Sequence, residues 1–329
     1  MLSILIPIYN YDCRSLVKDL HKQCTVSDIP FEIRLIDDCS DHFQKENQSL
    51  STLQFVHFTA LSTNIGRSAI RNQLAQEAKY EYLLFIDCDA GTCNNYIAKY
   101  LPFLPSDKII CGGLLYDIKD YTPEKSLRFQ YGHKREEKSA QTRNKTPYQA
   151  FTSFNMLIPK KVFLAIKFDE SITKYGHEDT LFGIMLEKEK KEILHINNPL
   201  YHKGIENNII FLQKTQQSIL SLKELYERAE YSSQLSNKIK ILSFYKKIKP
   251  LHIPISFLFT SIRPLIEKYL ITNKKPSLIV FDFYKLAYLC TSMQNNKYSI
   301  IIQNHHSPLP VLTHTSLDIQ PILSLFLYI

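Results

Sequence analysis

Short apolar runs alternate with amphipathic stretches along the first half of the chain. Residues 2–7 form a mainly apolar run suited to a buried strand, and residues 13–24 follow with Leu16, Val17 and Leu20 at helical spacing. Residues 31–37 and 53–58 read as a second and a third strand. Residues 67–79 read as a helix, and 82–86 as a fourth strand that ends in Asp87-Cys88-Asp89. Residues 94–101 and 108–115 continue the alternation. Strands separated by helices of this length predict an α/β fold with a mainly parallel sheet and helices on both faces. In open α/β sheets, ligands collect at the carboxyl ends of the strands. Asp37, Asp38, Asp87 and Asp89 all fall at such ends, which points to one site.

The pattern dissolves at 126–148 into a charged stretch with glutamine and arginine, predicting a mobile loop. Order returns with a strand at 150–158 and a helix at 160–166. A helix at 179–190 carries Leu181, Phe182, Met185 and Leu186 on one face. A longer helix at 207–229 carries Ile209, Leu212, Ile219, Leu222 and Tyr226. Beyond Ser236 the composition shifts to Lys, Ile, Leu, Phe and Tyr, with no glycine. Residues 1–235 are expected to be the main unit, divided into a 1–115 half and a 116–235 half. A basic, apolar helical extension at 236–296 and an atypical apolar tail at 297–329 are expected to follow.

Composition narrows the class. Among 329 residues, 44% hydrophobic and 22% charged describe an ordinary folded protein. The start lacks a basic leader, and no run reaches the roughly 18–20 apolar residues that span a bilayer. Seven cysteines with no C-x-x-C pair signal neither a disulfide framework nor a zinc ribbon, so reduced thiols and a cytoplasmic location are expected. The net charge of +8 is local: nine Lys/Arg between Asn237 and Pro276 face the single acid Glu267, which accounts for all of it. That argues against a nucleic-acid-binding protein and for one anionic contact near the C-terminus.

The strongest chemical feature is Phe85-Ile86-Asp87-Cys88-Asp89. Two carboxylates one residue apart, just past a buried strand, suit Mg²⁺ or Mn²⁺, which in turn neutralise a diphosphate. A haloacid-dehalogenase-like phosphatase also uses D-x-D at a strand end. There a threonine follows two residues after the second Asp, whereas this chain has Gly91 in that place and Thr92 one step late.

At Ser3-Ile4-Leu5-Ile6-Pro7-Ile8-Tyr9-Asn10, Leu35-Ile36-Asp37-Asp38-Cys39-Ser40, Asn64-Ile65-Gly66-Arg67 with Arg71-Asn72, and Phe85–Asp89, the chain resembles the family-2 glycosyltransferases of the GT-A fold. The blocks come in the family's order. The resemblance continues through Gly176-His177-Glu178-Asp179 to Asn198-Pro199-Leu200-Tyr201-His202, about two-thirds of the chain. It implies a Rossmann-like GT-A sheet and a hexosyltransferase-type enzyme building a bacterial surface polysaccharide or lipopolysaccharide. The implied donor is a nucleotide diphosphate sugar, of UDP type. The implied donor contacts are Pro7, Tyr9, Asn10, Asp37, Asp38, Arg71, Asp87 and Asn155, with Gly112-Gly113 shaping the sugar pocket. The implied metal ligands are Asp89, Asp87 and His202, with His177 a weaker candidate and Arg67 a surface residue. Asp179 is the implied general base, with Glu178 binding the acceptor or substituting for it. Their place at a helix N-terminus predicts a lowered carboxylate pKa. A base opposite the leaving diphosphate implies inversion. A catalytically inactive nucleotide- or partner-binding module is the remaining alternative.

Within the basic extension, residues 251–262 are apolar and flanked by Lys246, Lys247, Lys249 and Arg263. The stretch is too short to span a bilayer. Either it lies on an anionic membrane surface, making the protein peripheral on the inner face of the cell membrane, or it covers the core.

Overall fold

Alternating positions of Leu2–Ile8 (β1) send Leu2, Ile4, Ile6 and Ile8 into one apolar layer and Leu5 into another. The computed structural model, which describes residues 1–294, places β1 near the middle of a seven-stranded sheet. The chain continues through Arg14–Val26 (α1), Phe31–Asp37 (β2), Gln44–Gln48 (α2), Val56–Ala60 (β3), Gly66–Glu77 (α3) and Tyr82–Ile86 (β4). It then passes Ala90–Gly91 (β5), Ile109–Cys111 (β6), Leu114–Leu115 (β7), Ser126–Tyr131 (α4), Ala140–Arg143 (α5), Asn155–Pro159 (β8) and Lys160–Ile166 (α6). Glu178–Lys188 (α7), Ile193–His195 (β9), Leu200–His202 (β10) and Asn208–Glu227 (α8) follow, then Ala229–Lys238 (α9), Lys240–Lys247 (α10), His252–Thr272 (α11) and Leu278–Gln294 (α12).

The large sheet has the order β3-β2-β1-β4-β8-β6-β9, and β8 alone runs against the others. The mainly parallel sheet expected from the alternation is therefore present. Leu16, Val17 and Leu20 of α1 cover one face; Ile70 and Leu74 of α3, Phe163 of α6 and Phe182 of α7 cover the other. β1 pairs with β4 only as far as Leu5–Phe85 but with β2 as far as Ile8–Asp37. The Ile8 carbonyl accepts from the Asp38 N–H, on the β2 side. By alternation the missing N–H of Pro7 falls on the β4 side, where the ladder has already stopped.

A small sheet, β5-β10-β7, stands at that end, with His202 opposite Ala90. The single strand expected at 108–115 is broken in two by Gly112-Gly113. Gly113 has a φ of +89°, and a Cβ on Gly112 would collide with the Asn198 carbonyl and the Asn155 amide. The chain thereby leaves the large sheet and joins the small one.

Three further expectations are corrected. Residues 94–101 form successive turns rather than a helix, with Asn95 at a φ of 60° interrupting the helical path. The strand expected over 150–158 begins only at Asn155. The supposed mobile loop at 126–148 is ordered as α4, a π-helical turn Gly132–Glu136 and α5, because its arginines turn inward. Arg128 pairs with Glu136 (3.0 Å) and Glu206 (3.5 Å). All five N–H groups of Arg143 are used, on the carbonyls of Lys138, Cys111, Gly112 and Ile196 and on His195 Nδ1.

Helices α8 to α12 form a third and a fourth apolar cluster. Leu235, Leu242 and Leu289 share one with Leu181 and Ile184 of α7, so the C-terminal helices are packed onto the element that carries Glu178-Asp179. The 297–329 tail expected from composition lies outside the described residues, as does the end of the 236–296 segment.

Candidate active site

Asp37, Asp87 and Asp89 all lie at or just past the carboxyl ends of β2 and β4, and α7 delivers Glu178-Asp179 to the same end. The acids gather around two cations. Arg71 on α3 is almost wholly buried, and its Nη2 donates to Asp87 Oδ1 at 2.6 Å. Burial opposes the Arg71 charge, but Asp87, Asp179 and Glu178 outweigh it and hold the guanidinium firmly protonated. Arg71 is thus paired with the D-x-D and lies within electrostatic reach of the acid pair. Arg67, expected at the surface, is half exposed; it reaches Glu178 at 3.5 Å and stacks on Tyr175 at 4.4 Å.

Asp179 Oδ2 accepts from Thr152 Oγ1 and the Ser153 N–H, both at 3.1 Å, while Oδ1 is buried without a partner. The helix N-terminus was expected to lower this carboxyl. Instead burial, followed by the Glu178 charge, pushes it up to about 6, with Arg71 opposing. The sharp turn ahead of it needs two left-handed residues, Gly176 (φ +93°) and His177 (φ 72°). His177 meets Ser218 Oγ at 3.1 Å, and burial pushes its pKa down to about 4, so it is a neutral turn residue remote from the D-x-D contacts.

Asp89 faces His202 across the small sheet, with Oδ2 3.8 Å from Nε2. The His202 ring is sandwiched between Tyr116 (5.5 Å, 17°) and Phe154 (5.4 Å, 13°). Gly204 lies so close that a Cβ would collide with the Asp89 carboxylate. Burial raises the Asp89 pKa, with Asp87 and Glu206 adding to the effect and His202 and Arg67 opposing it. Among the described residues, no three His, Cys, Asp or Glu side chains form a metal cluster. One carboxylate and one rigid imidazole still fit a hard cation that takes its other ligands from a diphosphate. His202 Nδ1 is buried without a partner; when Nδ1 carries the proton, the Nε2 lone pair is left facing Asp89.

The other expected donor residues divide sharply. Asp37 is buried, with Oδ1 accepting from the Ser40 N–H (2.8 Å) and Oδ2 unpartnered. It therefore keeps one free acceptor. Tyr9 is 54% exposed, an open flat surface just past β1. Asn10 spends Oδ1 on the Asp41 and His42 N–H groups, so it shapes the neighbouring loop. Asp38 accepts from the Ile65 N–H (2.7 Å) and the Gly66 N–H (3.0 Å), so both of its oxygens anchor the start of α3, a structural role beside the expected donor contact. Asn155 is corrected. Its Oδ1 accepts from Tyr96 and Tyr100, and its Nδ2 donates to the carbonyls of Gly113 and Asn198. All its capacity is spent on the sheet junction.

Sequence reasoning missed Tyr116 and Gly204, and placed Arg67 at the surface only. Nothing local marks them, because each acts on a partner at least 85 residues away.

Residues 3–165 match the family model described as Glycosyl transferase family 2. The chondroitin synthase of Escherichia coli is 26% identical over 291 residues, covering 74% of this chain and 42% of the synthase. That of Pasteurella multocida (strain Pm70) is 25% identical over 224 residues, 56% of this chain and 23% of the synthase. The chain spans less than half the length of either relative. The mannosyltransferase PcManGT from Pyrobaculum calidifontis, solved with GDP-Man and Mn²⁺, superposes with a TM-score of 0.51 at 10% identity, covering 91% of this chain and 87% of that one. The family match leaves no place for the phosphatase alternative. With the D-x-D past β4 and the parallel sheet around it, this chain belongs to glycosyl transferase family 2 and is a glycosyltransferase of the GT-A fold.

Proposed function

We propose that this chain transfers a sugar, with inversion, from a UDP-sugar to a hydroxyl of a growing polysaccharide or lipid-linked acceptor. The observation that carries the reading is the Arg71–Asp87 and Arg67–Glu178 ion pairs beside the Asp89–His202 pair, with the Asp179 charge acting on Arg71. It supports cationic groups and a candidate base acting together at the carboxyl end of the sheet.

The Asp37 Oδ2 acceptor suits an imide N–H of a pyrimidine base, and the Tyr9 ring offers a surface for it to rest on. Asp89 and His202, with Asp87 beside them, would hold Mg²⁺ or Mn²⁺, which supplies charge neutralisation to the diphosphate. Arg67, the more exposed of the two arginines, is the cation available to the departing phosphates; Arg71 keeps Asp87 oriented. Asp179, with one oxygen free and a pKa near 6, takes the proton from the acceptor hydroxyl as it attacks. Attack from the face opposite the leaving group inverts the anomeric centre. PcManGT, solved with GDP-Man and Mn²⁺, supports a nucleotide sugar and a divalent ion as the reactants to try.

The test is a thermal-shift panel of nucleotides with and without Mn²⁺. UDP is expected to raise the melting temperature only with Mn²⁺, and Asp89→Ala to abolish the shift. If no nucleotide stabilises the protein with any metal, the donor assignment is wrong.

A further inference from the structure

Helix α11 is apolar on both sides. Its inner side packs Phe259, Ile266 and Leu270 into a cluster with Phe281 and Tyr284 of α12. Its outer side carries Ile253 (50% exposed), Phe257 (72%), Leu258 (46%) and Leu265 (43%), continued from Leu251 (49%) in the preceding turn. At 100° per residue, Ile253, Phe257, Leu258 and Leu265 fall within one sector, which also holds Pro254, Ser261 and Pro264 and, at its C-terminal end, Lys268 and Thr272. A helix apolar all round is one whose outer side meets something other than water.

The charge around this face says what. Lys246, Lys247 and Lys249 are exposed on its N-terminal side, and Lys268, Lys274 and Lys275 on its C-terminal side. Glu267, the one acid between residues 237 and 276, is turned inward: its Oε1 accepts from Arg263 Nε (2.8 Å) and Tyr284 Oη (2.7 Å). The outer surface therefore presents bulky apolar side chains framed by uncompensated positive charge. No helix among the described residues is long and apolar enough to cross a membrane.

We infer that the outer face of α11 docks on an anionic lipid bilayer, with Phe257 and its neighbours in the headgroup–acyl boundary and the flanking lysines on lipid phosphates. This is independent of which donor the enzyme uses. It fits an enzyme whose acceptor is tethered to a membrane.

The experiment is co-sedimentation of the full chain with vesicles. One set contains phosphatidylglycerol mixed with phosphatidylcholine, and the other phosphatidylcholine alone; light scattering is recorded in parallel. The full chain is expected to pellet with the anionic vesicles only, and less so as salt rises. Phe257→Ser and the triple variant Lys246→Glu/Lys247→Glu/Lys249→Glu are each expected to weaken binding about tenfold or more. Both are expected to keep the UDP- and Mn²⁺-dependent thermal shift, which separates failure here from failure of the donor reading. The inference is overturned by equal binding to neutral vesicles, or by an unchanged Phe257→Ser variant. It is also overturned if wild-type protein binds no vesicles. A dimer that Phe257→Ser dissociates would give the face to a second copy instead.

Discussion

Asp179 shows how a side chain's surroundings reverse what its position in a helix suggests. The N-terminal dipole favours an ionised carboxylate by a fraction of a kcal/mol, but burial beside Glu178 outweighs it and pushes the pKa up to about 6. Two outcomes follow. In its proposed role as general base Asp179 must be ionised, so turnover should fall as pH drops below about 6, in a pH–rate profile with saturating donor. A carboxyl whose folded pKa lies above its unfolded value of about 4 binds its proton more tightly when folded. Its ionised form therefore costs stability at pH 7. Asp179→Asn should raise the melting temperature at pH 7 while lowering turnover by about 10²–10⁴-fold; a lower melting temperature would mean the carboxylate is structural. His202 makes a second case. Its orientation rests on the Tyr116 and Phe154 rings. Phe154→Leu should raise the Mn²⁺ concentration needed for nucleotide-dependent stabilisation by about tenfold, whereas Tyr116→Phe, which keeps the ring, should leave it unchanged.

At the scale of elements, strands and helices with plain periodicity were legible. β1, β2 and β4, with α1, α3, α6 and α8, fall within a few residues of the expected bounds, because each strand buries both faces and each helix an apolar stripe. What could not be read was structure organised by buried polar groups. The 126–148 segment looks like a solvated loop because its arginines and glutamates are charged, and only their distant partners make burial tolerable. Arg143 is the sharpest instance, since its carbonyl acceptors lie on the Gly112-Gly113 junction and beside β9. Arg143→Ala would leave several buried carbonyls unsatisfied and should cost about 3 kcal/mol or more in urea unfolding. Arg143→Lys should recover little, because an ammonium has three donors where the guanidinium has five. The same distance dependence explains the site. Asp37, Arg71, Asp87, Asp89 and Asp179 could be named from local motifs, while Asn155 and Asp38 took structural roles that only their hydrogen bonds reveal.

For the whole molecule, buried histidines and carboxyls with opposite shifts set the response to acid. Burial pushes His177 and His195 each down to about 4. His195 is fixed neutral, with Nδ1 facing an Arg143 N–H at 2.7 Å and Nε2 3.0 Å from the Pro147 carbonyl. A histidine with a depressed folded pKa contributes stability above its unfolded pKa of about 6.5, and that stability is lost as pH falls toward 4. Asp179 acts in the opposite sense over about pH 4–6. Asp89, also raised, acts with Asp179, while the lowered carboxyls Glu136 and Glu206 act with the two histidines; net proton uptake on unfolding is expected, so the melting temperature should drop steadily from pH 7 to pH 4.5. A flat or rising profile would show that the histidines are not held neutral.

The account stands on the base and the leaving diphosphate lying on opposite sides of the transferred sugar. The measurement that reaches it most directly is proton NMR of the sugar released or transferred from a UDP-α-sugar in the presence of Mn²⁺, read before mutarotation. The β-anomer is predicted as the first product, with its formation suppressed in Asp179→Asn. An α-anomer as the first product would contradict single displacement and remove Asp179 from its proposed role.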